Sequence, residues 1–175
     1  MSAHDFFIQA IGFCGTILFF LSFQCRHNRN LFRVQLASYL CYTTHLLLLG
    51  AVTGGISYVL NTVRSFCLSS NSAFLKSKRM CAILCALQLL TLVFTWGGWW
   101  SCLPVIANIA STIGGYTHNP RKVRIAGMFV NSPLWIVYDI LVGSWAGVVD
   151  ELVSEASVLI SIYRYGWKNL DTVET

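Results

Sequence analysis

Strongly polar side chains interrupt stretches that are otherwise apolar, and their spacing places them on shared helix faces. Ser57, Asn61 and Arg64 recur at intervals of four and three residues, which is the spacing of one side of an α-helix. Amide, guanidinium and carboxyl groups in such a stripe can bind a polar solute or carry a proton. The residues that we predict to form a solute site are Asn61, Arg64, Asn108, Trp135 and Glu155, followed by His45 and Asn131.

Two of these residues have a second interpretation. Arg64 and Glu155 are 91 positions apart, and a buried guanidinium requires an anionic partner, a cluster of carbonyl groups or water. We expect Glu155 to be that partner, ahead of Glu151 and Asp139. The two residues could form a fixed interhelical ion pair or, equally, a solute or proton site. His45 likewise fits either an interhelical hydrogen bond or a proton or solute site.

The composition indicates that these side chains lie in a membrane. Of 175 residues, 55% are hydrophobic and 11% are charged, whereas about 25% of the residues in an ordinary soluble domain are charged. This excludes a soluble single domain, a disordered chain and a collagen-like chain. We predict an all-α polytopic membrane protein with seven transmembrane helices, at roughly 4–23, 34–52, 55–71, 80–98, 100–117, 123–143 and 147–166.

The basic residues predict the orientation. They occupy alternate connections, whereas those near Gly50–Gly55, Gly97–Trp100 and Gly143–Gly147 contain no Lys or Arg. The positive-inside rule makes the basic side cytoplasmic, so the N-terminus is predicted to be periplasmic and the C-terminus cytoplasmic. The predicted partner is the lipid bilayer, and the net charge of +5 needs no nucleic acid to explain it. The basic residues on that side are Arg26, Arg29, Arg33, Lys76, Lys78, Arg79, Arg121, Lys122, Arg124, Arg164 and Lys168.

An internal repeat organises the predicted helices. Matched residues at offsets of 91 to 93 positions include Arg33 with Arg124, Gly50 with Gly143, Gly54 with Gly147, Tyr42 with Trp135, His45 with Tyr138, and His27-Asn28 with His118-Asn119. A three-helix unit ends on the other side of the membrane, so one extra helix lets the second copy enter in the same orientation. This predicts a 3+1+3 parallel-repeat arrangement. Its parts are a first three-helix repeat at 1–71, a linker with connecting helix four at 72–98, a second repeat at 99–168 and a cytoplasmic tail at 169–175.

Catalytic and metal-binding motifs are absent from the sequence. It contains no HExxH, GxSxG or GxxxxGK[ST] motif and no dinucleotide-binding glycine fingerprint. The seven cysteines are scattered through apolar stretches without a CxxC pair or zinc-like spacing. We therefore predict no enzyme activity, no metal site and no cofactor. Asp139 and Asp150 are expected near the outer rim, as ordinary interfacial charges.

Several short motifs resemble the YgjV-type bacterial inner-membrane proteins, and the similarity covers almost the whole chain. They are His45-Leu-Leu-Leu-Leu-Gly50, Leu60-Asn-Thr-Val-Arg64, Leu103-Pro-Val-Ile with Ser111-Thr112, and Gly143-Ser144 with Gly147 and Glu151. The resemblance implies a multi-pass inner-membrane protein but no particular activity. Tyr138-Asp139 stands where such proteins can have His-Asn, so a role that needs a second histidine is not expected. The predicted arrangement is also similar to the SWEET sugar facilitators and the PnuC-type nicotinamide riboside transporters, an analogy of architecture only.

These observations predict a small-solute transporter or facilitator whose two bundles rock about a polar site in the middle of the membrane. The partner is a small polar solute, and the chain can act as a monomer or a homo-oligomer. The alternative is an accessory membrane protein that transports nothing. A transporter should have a water-accessible cavity lined by the residues above. An accessory protein should be closed there and should present an apolar or small-residue groove to lipid.

Overall fold

The computed structural model describes residues 3–25 and 28–166, and only the backbone of Ala3, His4, Asp5 and Asn28. The predictions for Arg26, His27, Lys168 and the tail at 169–175 lie outside these residues.

The part of the chain that the structure describes is all-helical and contains seven helices, as the sequence predicts. They are α1 (Ala3–Phe23), α2 (Asn28–Leu48), α3 (Val52–Ser69), α4 (Lys78–Phe94), α5 (Cys102–Gly115), α6 (Pro120–Val142) and α7 (Trp145–Tyr165). A short 3-10 turn, Trp99–Ser101, precedes α5. Helix α2 begins six residues before the predicted apolar stretch. Hydropathy indicates which residues lie in the apolar part of a membrane, and it therefore does not detect the polar first turns of this helix.

Polar side chains start several of these helices. Ser77, Asn119 and Ser144 each accept a hydrogen bond from a backbone N–H of the first turn of α4, α6 and α7 respectively. Within α6, Pro133 has no N–H to donate to the preceding turn, which accounts for the wider π turn over Gly127–Asn131. This π turn lies at the middle of the molecule, beside the residues considered below.

Two helices are long and apolar enough, by length and composition, to cross a membrane. They are Phe6–Phe23 within α1, with a mean hydropathy of 2.0, and Pro120–Val142, with a mean hydropathy of 1.6. Of the other five helices, α4 has 17 residues and α5 has 14, which is short for a spanning helix. Polar and charged residues interrupt α2, α3 and α7, so these five predicted spans stay predictions.

The turn between α2 and α3 and the turn between α6 and α7 have the same backbone structure. Gly50 (φ +76°) and Gly143 (φ +72°) adopt the left-handed conformation that ends many helices. The N–H of Ala51 then donates to the Leu46 carbonyl oxygen over 2.9 Å, and the N–H of Ser144 donates to the Asp139 carbonyl oxygen over 2.8 Å. We call the end of the molecule with these two turns the glycine-turn end. The opposite end, with the α1–α2, α3–α4 and α5–α6 connections, is the basic end.

The helices pack mainly against their neighbours in sequence. Helices α1, α2 and α3 are in contact in that order, and so are α5, α6 and α7. The two groups contact each other through the pairs α1–α7 and α3–α5. Helix α4 lies against α3 and α5. One apolar core cluster, which includes Phe23, Leu31 and Val158, lies toward the basic end. A second, mostly aromatic cluster lies toward the glycine-turn end.

The distribution of polar and apolar side chains is reversed relative to a soluble protein. Large apolar side chains such as Val93, Phe94 and Leu152 are exposed, whereas Asn61, Asn108 and many serines are buried. Such a surface is typical of a protein whose outer face contacts lipid.

Arg124, which the sequence analysis used as an orientation signal, is buried at the basic end. Its Nε donates to Ser161 Oγ over 2.9 Å, and its Nη1 donates to the Pro120 carbonyl oxygen over 3.1 Å. The guanidinium therefore ties α6 to α7, a structural role that a charge count does not reveal.

Candidate functional site

A small internal cavity lies where α1, α2, α3, α5, α6 and α7 approach one another. Its volume is about 30 Å³, which is room for about two water molecules. Phenylalanines of α1 and α2 form part of its wall. The polar residues of the wall are Gln35, Arg64, Ser111, Asn131, Ser132 and Ser154, together with Tyr39.

Arg64 of α3 is the charged group of this cavity. It is 4% exposed, its Nη2 donates to the Tyr39 hydroxyl over 3.0 Å, and its Cζ lies 5.6 Å from the centre of the Tyr39 ring. Its Nε and Nη1 are buried and have no hydrogen-bond partner among the described residues. Leaving such donors unpaired is unfavourable, so the cavity offers two unfilled positions for an acceptor.

The predicted pairing of Arg64 with Glu155 is wrong. No ion pair between them occurs in the described structure, where Arg64 contacts Tyr39 and the carboxyl group of Glu155 contacts Ser132 of α6. The reason is the packing order: α3 packs on α2, α4 and α5, whereas α7 packs on α1 and α6. Glu155 is partly exposed and does not line the cavity.

Three further predicted residues form one hydrogen-bonded group beside the cavity. Asn61 Nδ2 donates to Asn108 Oδ1 over 2.8 Å, and Trp135 Nε1 reaches the same oxygen over 3.4 Å. Because an indole N–H can only donate, Trp135 fixes the orientation of the Asn108 amide. Asn131 lies next to this group and donates to the Ala107 carbonyl oxygen over 3.1 Å. The amides thus join α3, α5 and α6, and Asn131 also lines the cavity.

A layer of aromatic rings borders the cavity on the side of the glycine-turn end. Tyr58 is its centre, with ring-centre distances of 5.6 Å to Tyr39, 5.2 Å to Tyr42 and 4.7 Å to Trp135. Trp135 in turn contacts Tyr138 at 5.5 Å. We call these five residues the aromatic layer; of the five, Tyr39 lines the cavity. The sequence analysis overlooked Tyr39 and Tyr58, although Tyr58 lies one turn from Asn61 on the same helix.

His45 lies apart from the cavity, beyond the aromatic layer. Its ring is fully buried, and Nδ1 donates to the Ile8 carbonyl oxygen of α1 over 2.9 Å. A Cβ atom placed on Gly12 would lie 3.0 Å from this nitrogen, so α1 approaches the ring closely. This geometry fits the interhelical interpretation of His45.

Carboxyl groups cluster on α6 and α7 toward the glycine-turn end. Asp139, Asp150 and Glu151 are buried, which corrects the expectation that Asp139 and Asp150 lie at the rim. The turn at Ser144 and side chains of α1 and α2 contact them, so a position near a helix end did not mean contact with solvent. Asp139 interacts with Ser144, and Asp150 with Tyr42 and Thr16. Among the described residues, no group of three or more His, Cys, Asp and Glu side chains could hold a metal ion.

Comparison with known proteins identifies the family. A family model described as a bacterial inner membrane protein, Imp-YgjV, matches residues 6–169. Comparisons with curated proteins and with solved structures gave no significant match, so the similarity to SWEET and PnuC-type transporters remains an analogy from sequence. The match spans nearly the whole chain, which therefore belongs to the YgjV family of bacterial inner membrane proteins.

Proposed function

We propose that this inner membrane protein is a multi-pass transporter or facilitator of a small polar solute and not an enzyme. The observation that carries the proposal is the cavity between α1–α3 and α5–α7. Two nitrogens of the Arg64 guanidinium in its lining have no hydrogen-bond partner in the part of the chain that the structure describes. In a bilayer, a buried ionisable group that faces the interior marks a candidate solute or ion pathway. The hydrogen-bonded side chains of Asn61, Asn108 and Trp135 do not line the cavity, whereas their neighbour Asn131 does.

The proposal includes the duplicated architecture, with α1–α3 and α5–α7 as parallel repeats and α4 as the connector. The equal backbone structure at Gly50 and Gly143, 93 positions apart, supports it. So does the packing of each triplet within itself. In parallel repeats, a site near the middle of the membrane at the repeat interface is the usual arrangement. The N-terminus would be periplasmic and the C-terminus cytoplasmic.

Transport requires a wider conformation than the one described. The cavity has room for about two water molecules, which is less than an organic solute occupies. The contacts between the triplets include hydrogen bonds that water can replace. Asn61 bonds to Asn108 on one side, and on the other Gln24 Nε2 donates to Ser157 Oγ over 3.0 Å. We propose that the two bundles rock about these contacts.

Flux into proteoliposomes tests this function. Purified protein is first screened by thermal shift against metabolites, and stabilising compounds are then used as radiolabelled substrates. We expect Asn61→Ala and Arg64→Ala to abolish flux. The matched controls should keep it. They are Thr62→Ala, whose hydroxyl donates to the Tyr58 carbonyl oxygen of its own helix, and Arg33→Ala, at an exposed arginine. Wild-type flux in both site variants would exclude this site.

The second candidate function is that of an accessory protein, and an apolar groove favours it. The groove lies between α1 and the start of α7, has a volume of about 800 Å³, and is lined by residues such as Phe6, Phe13, Leu49 and Trp145. Folded protein that binds no metabolite and supports no flux would favour this alternative.

A further inference from the structure

We infer that the cavity at Arg64 is a receptor for an anionic group, such as the carboxylate of the transported solute. The inference rests on the proposed function for its transport role, but anion binding can be measured without flux. It depends on the charge of the cavity, on the unpaired donors that face it, and on how those donors are held.

Arg64 is the one charged side chain among the described residues that line the cavity, and the carboxyl groups of Glu151 and Glu155 lie behind the lining, against Ser132. Among the described residues that line it, Arg64 is the single ionisable group of either sign apart from the tyrosine phenol. Removing a guanidinium from water is unfavourable unless an anion or several acceptors replace the water. The Tyr39 hydroxyl supplies one acceptor, and the Nε and Nη1 positions are left without one in the described structure. An anion in the cavity would supply the missing charge and acceptors.

A second unpaired donor faces the same space from the other triplet. Ser154 of α7 is 2% exposed, lines the cavity, and its hydroxyl has no hydrogen-bond partner within the described chain. A ligand held by Arg64 and Ser154 would therefore bridge α3 and α7, which belong to different triplets. The bound anionic group would therefore connect the two triplets at this point.

The guanidinium is held in place before any ligand arrives. Tyr39 accepts from Nη2 and also presents its ring to Cζ. The Tyr39 ring is itself packed between Phe19, at a ring-centre distance of 5.4 Å, and Tyr58, at 5.6 Å. A fixed guanidinium loses little conformational entropy on binding, and its planar geometry suits a carboxylate.

The size of the cavity restricts the bound group. A volume of about 30 Å³ accommodates about two water-sized atoms, which is the space of two carboxylate oxygens or of one small inorganic anion. The remainder of an organic solute would need the wider conformation. The shared chemistry is thus a compact monoanion, and its source is either an organic acid or a free inorganic ion.

Thermal stability of the full-length protein in detergent, measured at increasing ligand concentration, tests the inference. The probes are sodium acetate, its neutral analogue acetamide and sodium chloride, with ionic strength held constant by sodium gluconate, whose six-carbon chain is far larger than the cavity. We expect acetate to raise the melting temperature and acetamide to leave it unchanged. An equal response to chloride would support the receptor and assign it to a free inorganic anion.

Two variants and one control locate the effect. Arg64→Gln should weaken acetate binding by about tenfold or more, because a charge-assisted hydrogen bond is lost. Ser154→Ala, which keeps the charge and guards against a failure of Arg64→Gln to fold, should weaken it by about three- to tenfold. Arg33→Gln, at an exposed arginine outside the cavity, should bind as the wild type does.

Several results would overturn the inference. They are an equal response to acetamide, no stabilisation by any anion, or unchanged acetate binding in folded Arg64→Gln or in Ser154→Ala. Anion binding without flux would support the anion receptor and contradict the transport function. Flux of a neutral solute by protein that binds no anion would exclude the receptor and keep the transport function.

Discussion

Asn61 of α3 and Asn108 of α5 share a hydrogen bond of 2.8 Å at the contact between the two helix triplets. The acceptor oxygen of Asn108 also receives the indole N–H of Trp135. One buried amide therefore satisfies donors from two other helices, and its removal would leave both unpaired.

We predict that Asn108→Ala lowers the free energy of unfolding by about 2–4 kcal/mol, because two buried donors lose their acceptor and a cavity forms. Chemical unfolding of the purified protein in mixed micelles measures this. The control is Asn131→Ala, which removes one hydrogen bond from a half-buried side chain and should lower the same free energy by about 1 kcal/mol. Equal effects of the two variants would contradict the shared role of the Asn108 oxygen.

Gly50 and Gly143 provide a test of the duplication. A Cβ atom at either position would meet no described atom within 4 Å, so the effect of alanine comes from the left-handed backbone alone. We expect Gly50→Ala and Gly143→Ala each to lower the free energy of unfolding by about 1–2 kcal/mol. The two values should agree within about 0.5 kcal/mol. A clear difference between them would show that the two turns are not equivalent.

Gly147 is predicted to be intolerant of a side chain for a steric reason. Its Cβ atom would lie 2.4 Å from Cγ of Asp139, and that buried carboxyl group is held by Ser144. We expect Gly147→Ala to lower the free energy of unfolding by about 1–3 kcal/mol. In Gly127→Ala the new Cβ meets no described atom within 4 Å, so the helix propensity of alanine should leave stability unchanged or raise it by up to about 1 kcal/mol. Urea titration of both variants measures the free energy of unfolding. Similar losses of this free energy in the two variants would contradict the steric explanation.

The sequence predicts the helical class and the inward stripes because both follow from local periodicity. Ser57, Asn61 and Arg64 repeat at helical spacing, and all three are buried in the structure. Any arrangement of helices in lipid would turn these side chains away from the acyl chains, so the prediction needs no knowledge of which helices are neighbours.

The partners of these residues could not be predicted because they depend on packing order. Arg64 pairs with Tyr39 and not with Glu155, since α3 lies beside α2 while α7 lies beside α1 and α6. In the predicted repeat, an offset of 91 positions gives two residues equivalent places but says nothing of the distance between them. The aromatic layer could not be predicted for the same reason, because Tyr58 contacts rings from both triplets.

Tyr39 is predicted to act as a positioning residue for Arg64. Tyr39→Phe removes the hydroxyl that accepts from Nη2 and keeps the ring that packs on Phe19 and Tyr58. We expect acetate affinity to fall by about two- to tenfold, because the guanidinium loses a neutral hydrogen bond. Tyr163→Phe, at an almost fully exposed tyrosine, is the control. Unchanged acetate affinity in Tyr39→Phe would mean that the ring alone positions Arg64.

Reporter fusions test the predicted orientation and the number of crossings. Basic residues occupy the α1–α2, α3–α4 and α5–α6 connections, whereas the connections at the glycine-turn end contain no Lys or Arg, so the positive-inside rule places the basic end in the cytoplasm. A fluorescent protein that folds only in the cytoplasm should be bright when fused after Thr175 and dark when fused after Gly97. Alkaline phosphatase, active only in the periplasm, should show the opposite pattern at the same two positions. The same result at both positions would mean that the connecting stretch from 98 to 175 crosses the membrane an even number of times, which is incompatible with α5, α6 and α7 as three consecutive spans.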